Sequence, residues 1–386
     1  MRGVSIIGIG STPFGRLTEI SIRELAVRAC RAALADANVP RELAQAFYLG
    51  NYAADVLVGQ NTLAPLIANA LGLRRIPCTK IEGACASAGI ALRHGYLLVA
   101  TGVYDVVLVA GVEKMTSAST PEVTAALAAA ADLETEVRAG LTFPGAFALV
   151  ARRHMHDYGT TREQIAMVSV KNHHNSVRND VAQFKKEVSV AEVVGSRLVA
   201  DPLRLYDCCP ISDGAAAVVL CAADRAHEFT DRPVDIVGSG HALGAAAMCA
   251  LDDLTSFGAT RDAADEAFAQ AGIERADVDV VELHDCFSIA EIVDSEDLGF
   301  FAKGQGGRAV AEGWTATGGR IPVNPSGGLL SKGHPVGATG LGQVYEVVRQ
   351  LRGEHPNQVP DAQFGLAHNL GGTGAVATVH ILRRRL

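Results

Sequence analysis

The chain has 386 residues, enough for two domains or one large α/β domain. Its net charge is −8, with both signs mixed along the chain, which excludes a basic tract that would track a nucleic-acid backbone. Its eight cysteines form no CxxC and no zinc-type Cys/His spacing, its apolar runs are too short to span a membrane, and MRGVSIIGIG lacks a signal-peptide h-region. These features predict a cytoplasmic protein with free thiols.

Residues 4–15, VSIIGIGSTPFG, read as an apolar strand ending in a glycine turn. An amphipathic helix follows, stops near Asn38, and leads to another strand. The glycines lack the third position of a dinucleotide fingerprint, and a strand-ending turn explains them. The same order recurs from residue 234, VDIVGSGHALG, with a helix stopping at Gly272. Two related βαβ-type halves are expected, 1–230 and 231–386, in a layered α/β architecture. Residues 118–200 are more helical, more polar and richer in His and Arg, as in a subdomain inserted over a site. Within it, KNHHNSVRNDVAQF reads as a polar helix and loop near a ligand cleft, in preference to a metal site.

Residues 76–82 are expected to be extended, 86–101 helical, and 106–112 a β-branched strand. Cys85, in KIEGACASAG, falls at the turn into that helix. Unpaired N–H groups and the helix dipole there favour an anion, which predicts a lowered thiol pKa. Small neighbours leave room for a substrate carbonyl. From this stretch alone, a buried structural cysteine explains Cys85 equally well.

Three further stretches carry titratable groups at strand ends or in glycine loops. In VELHDCFSIAEI, a strand over 278–283 leads to His284, Asp285 and Cys286 before a helix near Ser288. In NPSGGLLSKGHPVGATGLGQVYEVV, His334 sits in a glycine-rich loop, with a helix after Ala338. In FGLAHNLGGTGAVATVHIL, a strand is expected to end at His368 and Asn369, and a glycine loop then offers free N–H groups. Cysteines and histidines on such loops form a nucleophile-and-base constellation. In DCCPISDGAAAVVL, Cys208 and Cys209 read as structural, with Asp213 and Gly214 turning into a strand over 215–221.

Taken in order, CASAG, DCCPISDGAAAVVL, HDCF, GHPVGATG and HNLGG resemble the thiolase superfamily over essentially the whole chain. The nearest branches are the sterol carrier protein X type and the archaeal-type acetyl-CoA acetyltransferases. The resemblance implies a five-layered αβαβα fold of two related halves with an inserted loop domain. The implied reaction is reversible thiolytic cleavage or Claisen condensation of 3-oxoacyl-CoA through an S-acyl cysteine. CoA and acyl-CoA enter as substrates; no metal and no tightly bound cofactor is implied.

By the same resemblance Cys85 is the nucleophile and His334 its base. HNLGG carries His368 where most thiolases carry a cysteine, so Cys286 is expected as the second acid/base. His368 then lines the pocket or holds a partner in place. His284, where most thiolases have Asn, and His334 would hold the enolate oxygen with a water. The N–H of Cys85 and one from Leu370, Gly371 or Gly372 would meet the oxyanion. A homodimer or homotetramer is expected. Alternatives are a retro-aldolase or acyltransferase working with a small OB-fold partner, or a non-catalytic acyl-CoA or lipid carrier. The presence of both Cys85 and Cys286 favours thiolase. The chain stops at Leu386, after its last strand, without the sterol carrier domain fused to some relatives, which weakens the carrier reading.

Overall fold

The computed structural model describes residues 1–385. The first strands are β1 (Val4–Ser11), β2 (Ala46–Gly50), β3 (Cys78–Ile81) and β4 (Val106–Glu113). A small antiparallel pair follows, β5 (Leu198–Ala200) with β6 (Leu203–Arg204). Then come β7 (Gly214–Ala222), β8 (Val234–Leu243), β9 (Val280–Glu282), β10 (Phe364–Gly371) and β11 (Val376–Arg384). Nine strands share one hydrogen-bonded surface in the order β3-β2-β4-β7-β1-β8-β11-β10-β9. Its two parts meet only where Val4–Ile6 pair with Val234–Ile236.

Strands such as β4 (VVLVAGVE) and β7 (GAAAVVLCA) are apolar or small almost throughout and wholly buried. That pattern belongs to strands covered on both faces. Three apolar clusters do the covering. The Ile22–Asp36 and Leu63–Leu71 helices pack on the N-terminal strands through residues such as Leu25, Ile67 and Phe47. The Ser87–Ala100 and Thr339–Arg352 helices lie centrally and touch both sets of strands, with Leu92 and Leu341 beside Val218 and Leu382. On the far side, the Gly258–Ala271 and Ser288–Asp297 helices bring Phe268 and Ile292 against Val379. The sequence of layers is helix, sheet, helix, sheet, helix.

Between β4 and β7 run helices that include Phe143–Tyr158 and Arg162–Ser176. The second begins with Thr161 and Gln164 capping one another. Most of its polar C-terminal half is buried, while Lys171, His174 and Asn175 also line a surface cleft with Glu187 and Thr317. Asn172, His173, Asn175, Ser176 and Asn179 are buried. Asn172 donates to Asp285 (2.7 Å) and to Glu291 (3.0 Å). Asn175 donates to the Asn324 carbonyl (2.9 Å), and Asn179 to the Ser326 carbonyl (3.0 Å). The amides therefore replace missing secondary structure along the segment that leads to His334.

The strand after the double cysteine starts at Gly214, and Asp213 does more than shape its turn. Its buried carboxylate accepts the N–H groups of Leu17 (3.1 Å), Met115 (2.7 Å) and Thr116 (2.8 Å). It also accepts the Thr116 hydroxyl (2.6 Å) and pairs with Lys114 (3.3 Å). Asp213→Ala would leave these donors buried and unpaired. The expected loss is about 3–5 kcal/mol in chemical denaturation. Arg225→Ala, at an exposed pair with Glu228, should leave the transition where it is.

Candidate active site

Cys85 lies in a single 3₁₀ turn, Ala84–Ala86, just ahead of the Ser87–Ala100 helix. Ala84 before it is held in the left-handed region at φ 51°. Two nearby N–H groups are already used: Gly83 donates to Ser87 Oγ (3.0 Å) and Ala84 to Glu82 Oε1 (2.6 Å). A Cβ at Gly371 would stand 2.5 Å from the Gly83 carbonyl oxygen, so only glycine allows this approach. The approach lets the Gly372 N–H reach the Cys85 thiol. Burial pushes that thiol up to about 12, against the Gly372 N–H bond and with help from Glu113. The expected low-pKa thiol is thus corrected. Desolvation outweighs the two donors, the N–H groups of Gly372 and of Cys85 itself, and Glu113 and Glu82 push the same way as burial.

His334 follows Gly333, whose φ of 117° opens the loop. Its N–H donates to Ser212 Oγ (3.0 Å). Ring Nδ1 lies 2.7 Å from Thr339 Oγ1, and that hydroxyl donates to the Pro335 carbonyl (3.1 Å). The hydroxyl has one proton, already given to Pro335. In this arrangement His334 Nδ1 carries the ring proton, and Nε2 keeps its lone pair. Burial pushes this imidazole down to about 3.

His284, just beyond β9, has the opposite tautomer. Its Nδ1 accepts from Asn369 Nδ2 (3.1 Å), so the ring proton sits on Nε2. Burial, and then His334 and His368, hold it well below the usual histidine range. The two rings meet edge to face, centroids 5.0 Å apart. Cys85 Sγ and one ring nitrogen of each histidine all lie within 4.8 Å of one another. The site thus holds a thiol, a ring nitrogen that accepts and a ring N–H that donates.

Cys286 is buried, its thiol raised well above the usual range first by burial, then by Cys209 and Cys85. Cys209 donates its N–H to the Cys286 carbonyl (3.1 Å), and its thiol is also within electrostatic reach of Cys85. The sequence reading of Cys209 as structural did not place it beside the site. β10 runs on to Gly371, past the stop expected at His368 and Asn369. Leu370 and Gly371 lie in the ladder opposite Ala377 and Val376, so within 370–372 only Gly372 lies beyond the strand. His368 and Asn369 face opposite sides of the strand, as its period of two requires. Asn369 meets His284. His368 Nε2 instead lies 3.0 Å from Thr260 Oγ1 and 3.9 Å from Asp294.

Residues 4–224 match the description "Thiolase, N-terminal domain", and residues 240–384 match "Thiolase C-terminal domain-like". The chain belongs to the thiolase family. It is 52% identical over 385 residues to the acetyl-CoA acetyltransferase of Methanothermobacter thermautotrophicus, covering 100% of both chains. It is 37% identical to sterol carrier protein 2 of Bos taurus, covering 97% of this chain and 71% of that protein. The solved structure titled "Ltp2-ChsH2(DUF35) aldolase" superposes at a TM-score of 0.87 with 26% identity, covering 99% of this chain and 98% of that one. This thiolase-family chain is an acyltransferase.

Acid removes a base by protonating it, and a lowered pKa moves that loss to lower pH. With His334 near 3 instead of the ordinary 6.5, and with Glu113, which sits near 7 beside the thiol, replaced by Gln, Cys85 acylation should stay level from about pH 8 to about pH 5.5. Rapid-quench acylation measured across pH checks this. An acid limb centred at the ordinary histidine value would contradict it.

Proposed function

We propose that this enzyme reversibly transfers the acyl group of a 3-oxoacyl-CoA to CoA, releasing acetyl-CoA, through an S-acyl intermediate on Cys85. The observation that carries the reading is the meeting of the Cys85 thiol with an accepting and a donating imidazole within 4.8 Å. His334 Nε2 takes the thiol proton as sulfur attacks the 3-keto carbon. The N–H groups of Cys85 and Gly372 receive the oxyanion of that attack. His284 Nε2–H and the newly protonated His334 hold the enolate oxygen of the departing acetyl-CoA. Cys286 protonates its carbon; a CoA thiol then returns a proton to Cys286 as its sulfur attacks the S-acyl carbon, and the departing Cys85 recovers the proton held by His334. His368 is turned to Thr260, lies close enough to help lower His284, and has no proton-transfer role here.

Identity to the archaeal acetyl-CoA acetyltransferase over both whole chains supports CoA thioesters as substrates in lipid metabolism. We read the chain as two halves meeting near residue 230, acting in the cytoplasm as a homodimer or homotetramer. The edge strand β3 supports self-association, because β2 is its sole partner in the sheet. The aldolase likeness favours a second reading, in which the chain works with a small OB-fold partner. Retro-aldol cleavage does not need an acylated cysteine, and neither does a carrier.

Mixing the purified chain with acetoacetyl-CoA should add one acetyl group to Cys85, seen by peptide mass spectrometry. Absence of the adduct, with or without an OB-fold partner, would refute thiolase action. Cys286→Ala should still take an acetyl group from acetyl-CoA, where no carbanion leaves, and lose carbon–carbon exchange with acetoacetyl-CoA by about 10²–10⁴-fold. Unchanged turnover in that variant would move the second acid/base elsewhere.

A further inference from the structure

The three groups that make the acyl-transfer site are also a soft-metal ligand set. Sulfur from Cys85 and one nitrogen each from His284 and His334 lie within 4.8 Å of one another. Around one zinc such atoms sit about 3.5 Å apart, given bonds of about 2.3 Å to sulfur and about 2.0 Å to nitrogen. Closing that gap takes side-chain shifts of about 1 Å, with no change of fold. A thiolate with two imidazoles selects zinc over magnesium or calcium. No local sequence spacing announces the site, because its ligands come from three distant stretches.

We propose that Cys85, His284 and His334 form a reversible inhibitory zinc site, in which Asn369 is the outer-shell switch. His334 offers its Nε2 lone pair as it stands, since Thr339 holds the ring proton on Nδ1. His284 must first move its proton from Nε2 to Nδ1. Asn369 then has to present its oxygen in place of its NH₂. Its Oδ1 is buried and has no hydrogen-bond partner in the resting arrangement, so turning the amide forfeits no bond at that atom. Cys85 loses its thiol proton to solvent as the S–Zn bond forms. The fourth position is left for water. Zinc and an acyl group compete for the same sulfur, so metal binding silences the enzyme and acylation expels the metal.

The inference does not depend on the acyl-transfer reading, because metal is titrated without any thioester. The metal-free chain is titrated with zinc against a chromophoric chelator, and with cobalt as a spectroscopic probe. One zinc per chain is expected, and the cobalt form should show tetrahedral visible bands with thiolate charge transfer. Cys85→Ser should abolish the charge-transfer band and weaken zinc at least about tenfold. Asn369→Asp, which holds the proton on His284 Nδ1, should tighten zinc about tenfold while slowing acyl transfer. A six-coordinate cobalt spectrum, or zinc affinity unchanged in Cys85→Ser, would overturn the site. Unchanged zinc affinity in Asn369→Asp, in a chain that folds normally by circular dichroism, would overturn the switch. Failure of Cys85 to take an acetyl group would count against the thiolase reading alone.

Discussion

Buried carboxylates hold this molecule's loops in place. The site is built from irregular backbone, whose N–H groups have no helix or strand to bond within. Glu113 accepts from Tyr52 (2.9 Å), Ala53 (3.2 Å) and Gly337 (3.1 Å). Asp285 accepts from Leu329 (2.7 Å) and Leu330 (3.3 Å), and Glu282 from Ser326 (3.0 Å). With Asp213, these groups tie the ends of β4 and β9 to the loops before and after His334. Charge-assisted bonds of this kind are short and strong, and each side chain can serve several donors at once. The cost is desolvation. Burial raises Glu113 and Glu282 to about 7.

The same burial governs the chemistry. At rest the Cys85 thiol and the His334 imidazole are both driven toward neutrality. A thiolate–imidazolium pair would be the wrong ground state in such a pocket. On the proposed mechanism the proton leaves sulfur only as carbon arrives, so reactivity depends on a bound acyl group. The opposed tautomers matter for the same reason. One ring must accept while its neighbour donates, and Thr339 and Asn369 arrange this with two hydrogen bonds.

Much of this was readable in the residues. Apolar runs ending in His284 and Cys286, and a small-residue turn at Cys85, carry local signals that no neighbour overrides. The Arg162–Ser176 helix was less legible, because a polar face looks alike whether it meets water or buried backbone. Its clue was composition: Asn172, Asn175, Ser176 and Asn179 are short amides and a hydroxyl at helical spacing, where a solvated face tends to carry Lys and Glu. The raised thiol is not legible in the sequence, because helix position predicts donors, while desolvation depends on packing from distant stretches. The place of Asn369 is legible too, since strand alternation alone turns it away from the side that His368 faces.

The place of β11 bears on how the chain can be made. This strand comes last among the eleven yet lies inside the sheet, paired with β8 on one side and β10 on the other. Emerging from the ribosome, the chain cannot zip its central ladder until residues 376–384 are free. Until then β8 and β10 expose unsatisfied edges and an apolar face, a state prone to aggregation. The ladder therefore closes late in folding, with long sequence separations to bridge. A chaperone's hold on the nascent protein would matter most in that interval.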